Sequence, residues 1–138
     1  MKTLLSLFTI VLFLTSCTTN TMEVKPIKIS DLDYMEITLT NNKPWTANIE
    51  TTQGIANMLT LVQNFSSDYA LLHSSLGNEF QTLFLKCSMT GEAHNQLHNY
   101  LIPMVAFFED IAKDDEVVSA LAVEKLELHL RAYSLFFE

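Results

Sequence analysis

Four stretches of this chain repeat apolar residues at helical spacing, and short polar breaks separate them. Glycine and proline occur only three times each, which disfavours a turn-rich β-sandwich or barrel. The spacing predicts helices over about Ile49–Phe65, Asp68–Cys87, Glu92–Ala112 and from a turn at Lys113–Asp115 to about Phe137. We therefore expect an all-α fold, with an antiparallel up-down-up-down four-helix bundle over residues 46–138, because the connections are short.

The segment before the first helix alternates apolar and polar residues with a period of two, from Met35 to Thr40. A lone strand has no pairing partner here, so we expect an extended segment that lies on the bundle. Trp45 follows soon after, and its large ring is expected to cover one end of the core.

Residues 1–16 are typical of a secretory signal peptide. Lys2 provides a positive start, and an apolar run from Leu4 to Leu14 is too short for a mature spanning helix. The Leu-Thr-Ser-Cys of residues 14–17 resembles the lipobox of bacterial lipoproteins. The resemblance implies cleavage before Cys17, a diacylglycerol on its thiol and an acyl chain such as palmitate on its amine.

A lipidated Cys17 implies a protein of the cell envelope, anchored to a bacterial membrane and facing the periplasm or the exterior. Residues 17–45 are then lipid anchor, tether and extended segment. The alternative is an ordinary signal peptide with an incidental Cys17.

With Cys17 lipidated, Cys87 is the only other thiol and no internal disulfide can form. A lone thiol in an exported protein indicates burial, a metal ion or an intermolecular partner.

The end of the second predicted helix and the start of the third are rich in metal-binding side chains. His98 and His129 lie at equal distances from the turn between the third and fourth predicted helices. Residues at equal distance from the loop of a helical hairpin lie at the same depth, so we expect these two histidines at the same depth in the bundle. Two histidines at i and i+4 can reach one ion, and thiol, thioether and imidazole ligands suit copper(I) or zinc. His73 falls toward the other end. We expect a metal site formed by Cys87, Met89, His94, His98 and His129.

Residues 87–98 resemble the Cys-x-Met-x-Gly-x-Ala-His-x-x-Leu-His segment of small exported bacterial helical proteins, which also hold a histidine in a C-terminal helix. The resemblance implies that these residues act as a unit. The alternative is that the cysteine and the histidines serve packing and hydrogen bonding. His129 is then a core histidine bonded to Tyr100 or Tyr133.

Several function classes are disfavoured. A net charge of −8 gives no basic surface for nucleic acid. Neither a Gly-rich phosphate loop nor a Cys-x-x-Cys-His haem motif is present, so no organic cofactor is implied and no enzyme is expected.

The sequence favours an exported lipoprotein that buffers or transfers copper(I) or zinc, with a metal-donor or metal-acceptor protein as partner. The alternative is a structural or partner-binding lipoprotein without metal. The oligomeric state stays open.

Overall fold

The computed structural model describes Ile27, Leu32 and residues 34–138. The predicted signal peptide and the predicted lipidation site Cys17 lie outside these residues. The described part is all-α, as predicted, and its isolated backbone bridges form no β-strand. Its elements are α1 (Ile49–Gln63), α2 (Tyr69–Lys86), α3 (Gly91–Ile111), α4 (Glu116–Arg131) and a 3₁₀ turn at Tyr133–Leu135.

Polar side chains and one glycine set the helix boundaries. The Asp68 carboxylate accepts a hydrogen bond from the backbone N–H of Leu71 at 2.9 Å, at the start of α2. Asp115 accepts from two backbone N–H groups in the first turn of α4. These bonds satisfy N–H groups that have no partner inside a helix. Gly91, the first residue of α3, adopts a φ of 65°, a conformation that favours glycine.

The predicted end of α4 near Phe137 is wrong, because α4 ends at Arg131. The last residues instead pair with the chain before α1. The backbone N–H of Trp45 donates to the carbonyl of Phe136 at 2.7 Å, and the N–H of Glu138 donates to the carbonyl of Trp45 at 2.9 Å. These bonds hold the C-terminus beside the N-terminal segment, so the chain does not continue as a helix.

The segment before α1 lies extended on the bundle, as predicted. Met35 is buried, whereas Glu36 and Thr38 point their side chains outward. Two polar residues of α3 bind the backbone of this segment. Gln96 accepts from the N–H of Thr38 at 2.8 Å, and Asn99 donates to the carbonyl of Glu36 at 2.8 Å. The segment therefore has a fixed position along α3.

One core lies between the four helices, because α1 contacts α2 and α4, and α3 contacts α4 and α2. The apolar stripe predicted on α3 is buried in full, at Leu97, Leu101, Met104, Phe108 and Ile111. Trp45 is half-buried and packs against the core, as expected. In the part of the chain that the structure describes, no helix is long and apolar enough to cross a membrane.

Candidate metal site

His94 and His98 lie one turn apart on α3, and their rings meet. Their Nε2 atoms are 2.9 Å apart and both side chains are half-buried. At this distance one neutral ring donates its Nε2–H and the other accepts. Two imidazole nitrogens of a single helix thus converge on one point in space.

Cys87 approaches the same pair from the other side of the His94 ring. It is the C-cap residue of α2, and its Sγ lies 3.8 Å from Nδ1 of His94. The two nitrogens of His94 therefore face different partners, His98 through Nε2 and Cys87 through Nδ1. The three side chains form a chain with His94 in the middle, so they do not surround a common centre.

Coordination of one metal ion by both Nε2 atoms would require the pair to open and the two rings to turn. Zinc–imidazole bonds are about 2.0–2.1 Å, and tetrahedral bonding places two such nitrogens roughly 3.3 Å apart. The pair has to open from its present 2.9 Å by a few tenths of an ångström. If both Nε2 atoms bound an ion, each ring would keep its proton on Nδ1. His94 would then donate this N–H to the sulfur of Cys87, as metal-bound histidines commonly do to a neighbouring acceptor.

Met89 and His73 lie outside this pair. Met89 is half-buried and packs against the hydrophobic core. His73 is exposed and lines a cavity of about 610 Å³ beside the loop between α3 and α4. His73 was expected to stay apart from the cluster, whereas Met89 was expected to contribute a ligand.

His129, which was also expected to be a metal ligand, lies in a different hydrogen-bond network. Its Nε2 lies 2.9 Å from the carbonyl oxygen of Tyr100, and its Nδ1 lies 3.0 Å from the hydroxyl of Tyr34. A carbonyl only accepts, so the neutral ring carries its proton on Nε2 and accepts from Tyr34 at Nδ1. Both ring nitrogens are engaged, and no lone pair is free for an ion.

Burial keeps both His129 and Tyr34 uncharged in this hydrogen-bond network. The His129 side chain is fully buried, and the loss of water lowers its pKa to about 4. Burial also raises the pKa of Tyr34 to about 12, so its hydroxyl keeps the proton that it donates. His129 is thus a neutral core histidine bonded to Tyr100, which was the alternative interpretation of this residue. Sequence spacing gave no sign of Tyr34.

Among residues 34–138 and the two described residues before them, no group of three or more His, Cys, Asp or Glu side chains is arranged to hold a metal ion. The described residues form a four-helix fold in which the imidazoles of His94 and His98 are paired. No protein-family model matches the chain, and neither a curated protein nor a solved structure matches it.

Proposed function

We propose that this protein is a lipid-anchored, exported metal-binding protein in which His94 and His98 hold zinc or copper. The observation that carries the proposal is the 2.9 Å approach of the two Nε2 atoms. Imidazole nitrogens suit both metals, whereas sulfur ligands favour copper(I). The thiol of Cys87 faces Nδ1 of His94, away from the two Nε2 atoms, so the proposed ligands are nitrogens only and zinc is the better match. The lipobox at residues 14–17 supports an anchored location in the cell envelope.

The proposal includes an antiparallel up-down-up-down order of the helices, which brings the end of α2 next to the start of α3. Contacts between helix ends support this order. The Asn48 amide before α1 donates to the carbonyl of Lys86 at the end of α2, at 3.2 Å. The Ser119 hydroxyl in α4 donates to the carbonyl of Asp110 near the end of α3, at 3.3 Å.

Cys87 acts in this proposal as an acceptor behind the metal ligand. A neighbour that accepts the Nδ1–H fixes the ring orientation and makes Nε2 more basic. Removal of such a partner typically weakens metal binding about 10- to 100-fold, less than loss of a ligand. A half-buried pair of ligands also suits exchange, so a metal-donor or metal-acceptor protein remains the proposed partner.

Titration of the metal-free, lipidated full chain in detergent with zinc or copper(I) tests this function. The parent is expected to bind, and His94→Ala with His98→Ala is expected to abolish binding. His73→Ala is the matched control, because His73 is an exposed helical histidine outside the pair. Equal affinity of the parent and the double variant would show that the pair is no ligand.

A second candidate function is a structural or partner-binding lipoprotein without metal. In the described part of the chain every buried polar side-chain atom has a hydrogen-bond partner, and Cys87, His94 and His98 already contact one another. This candidate predicts that the double alanine variant loses stability while neither protein binds an ion. The same titration, with urea unfolding of both proteins, separates the two functions.

A further inference from the structure

The His pair provides two ligands, whereas a protein-bound zinc ion in a closed site takes four. No third His, Cys, Asp or Glu group joins the pair within the residues that the structure describes. The described residues therefore leave two coordination positions to be filled by other groups. The surface around the pair indicates where they come from.

From His94 to Val105 the face of α3 that carries the pair has no charged residue, and the exposed Glu109 follows one turn later. Ile102 and Val105 follow His94 and His98 at steps of four and three residues, so all four share one face. Ile102 is 64% exposed and Val105 is 45% exposed. Phe84 of α2 extends this surface, because its ring is 44% exposed and lies 6.0 Å from the ring of His98.

The charge distribution favours a second copy of this chain as the occupant of that surface. The chain has a net charge of −8, yet residues 93–108 contain no Asp, Glu, Lys or Arg. Two copies that meet at this face avoid the repulsion between their acidic surfaces. The exposed apolar residues of α4 lie instead among charges such as Glu124 and Lys125.

We propose that two copies of this protein share one metal ion across a twofold axis, with His94 and His98 from each copy as the four ligands. The inference rests on the proposed function and adds the partner that completes the site. A twofold contact uses the same patch on both subunits. The patch of Phe84, Ile102 and Val105 then packs against its own copy beside the ion.

The contact depends on the metal. A stable protein interface buries about 800 Å² on each partner. The three partly exposed side chains of the patch are too few to reach that area, so the chains separate when the ion is removed. Zinc binding and dimerisation are therefore one event, with one ion for two chains.

Native mass spectrometry of the lipidated full chain, released from detergent, tests the inference with zinc and then with a chelator. The expected result is a zinc-bound dimer with one ion, which the chelator converts to monomer. Val105→Glu places a charge on each side of the contact and is expected to weaken dimerisation at least tenfold. Val117→Glu on α4 makes the same change at a residue that is 78% exposed, and it should leave the dimer intact.

Ile102→Glu provides a second test in the same patch, and circular dichroism shows that each variant keeps its helices. A zinc-bound monomer of the parent would overturn the shared site and leave the proposed function standing. Absence of zinc binding would overturn the proposed function itself. A dimer that resists Val105→Glu and Ile102→Glu would also overturn the inference, because the contact would lie elsewhere.

Discussion

The hydroxyl of Tyr34 lies 3.0 Å from Nδ1 of His129, although 95 residues separate the two in sequence. The other nitrogen of the same ring bonds the carbonyl of Tyr100 at 2.9 Å. One buried imidazole thus joins the N-terminal segment, α3 and α4. Its proton is on Nε2, and its neutrality depends on burial.

Stability should therefore fall in mild acid. The pKa of His129 is about 4 in the fold against 6.5 for the free side chain, so the unfolded state binds the proton more readily. The contribution is fully present above pH 6.5 and is lost as the pH falls toward 4, by about 3 kcal/mol in total. Urea unfolding between pH 7.5 and 4.5 measures the loss.

The variant His129→Gln separates the loss of stability caused by protonation of His129 from the loss caused by protonation of Asp and Glu side chains in the same pH range. A glutamine amide can donate to the Tyr100 carbonyl and accept from Tyr34, yet it does not titrate. The variant should show a shallower loss of stability across the same pH range. Identical slopes for the parent and the variant would contradict the assignment.

The two helical glycines outside the turns should respond differently to the same substitution. A Cβ at Gly54 would lie 3.2 Å from the side chain of Leu83, whereas a Cβ at Gly77 would meet nothing within 4 Å. Gly77→Ala should stabilise the protein by about 0.5–1 kcal/mol, since alanine favours the helix. Gly54→Ala should gain clearly less, because Leu83 has to move. Equal gains in urea unfolding would mean that α1 and α2 are not closely packed there.

The C-terminal aromatic residues should be essential to the fold. Phe137 is 2% exposed and its ring stacks on Tyr133 at 5.0 Å, so Phe137→Ala should cost about 3–5 kcal/mol. Phe84→Ala is the matched control at a ring that is 44% exposed, and it should cost far less. Both are measured by chemical unfolding with a chelator present. A similar cost for the two would contradict the packing of the C-terminus.

Lipid attachment at Cys17 is a prediction from the lipobox, outside the described residues. The parent should fractionate with membranes, and mass spectrometry of its N-terminal peptide should show acyl chains on Cys17. Cys17→Ala should abolish both. Cys87→Ala provides the control, since it removes the other thiol and should leave the lipid in place. An unmodified Cys17 would point to the ordinary signal peptide.

Helical spacing predicted much of this fold because burial follows periodicity. The apolar stripe from Leu97 to Ile111 on α3 is confirmed. The predicted end of α4 was wrong because Phe136 and Phe137 continue the apolar pattern, while the backbone groups of Phe136 and Glu138 hydrogen-bond to Trp45. An apolar pattern identifies what is buried and does not identify which backbone bonds form.

The candidate site shows the same limit at the level of atoms. Spacing predicts that His94 and His98 share a helix face, and their rings meet there. It does not give the ring orientation that turns Nδ1 toward Cys87. Hairpin depth likewise brought His129 to the level of α3, but Tyr34 reaches it from a segment whose position no local pattern sets.

X-ray absorption at the zinc edge tests the central claim most directly, because it reports the atoms bound to the ion. For the zinc-loaded parent we expect imidazole nitrogens at about 2.0–2.1 Å and no sulfur at about 2.3 Å. The imidazole signal should disappear when His94 and His98 are both replaced by alanine. A zinc–sulfur shell would make Cys87 a direct ligand and contradict its place behind His94, and a spectrum without imidazole would contradict the site altogether.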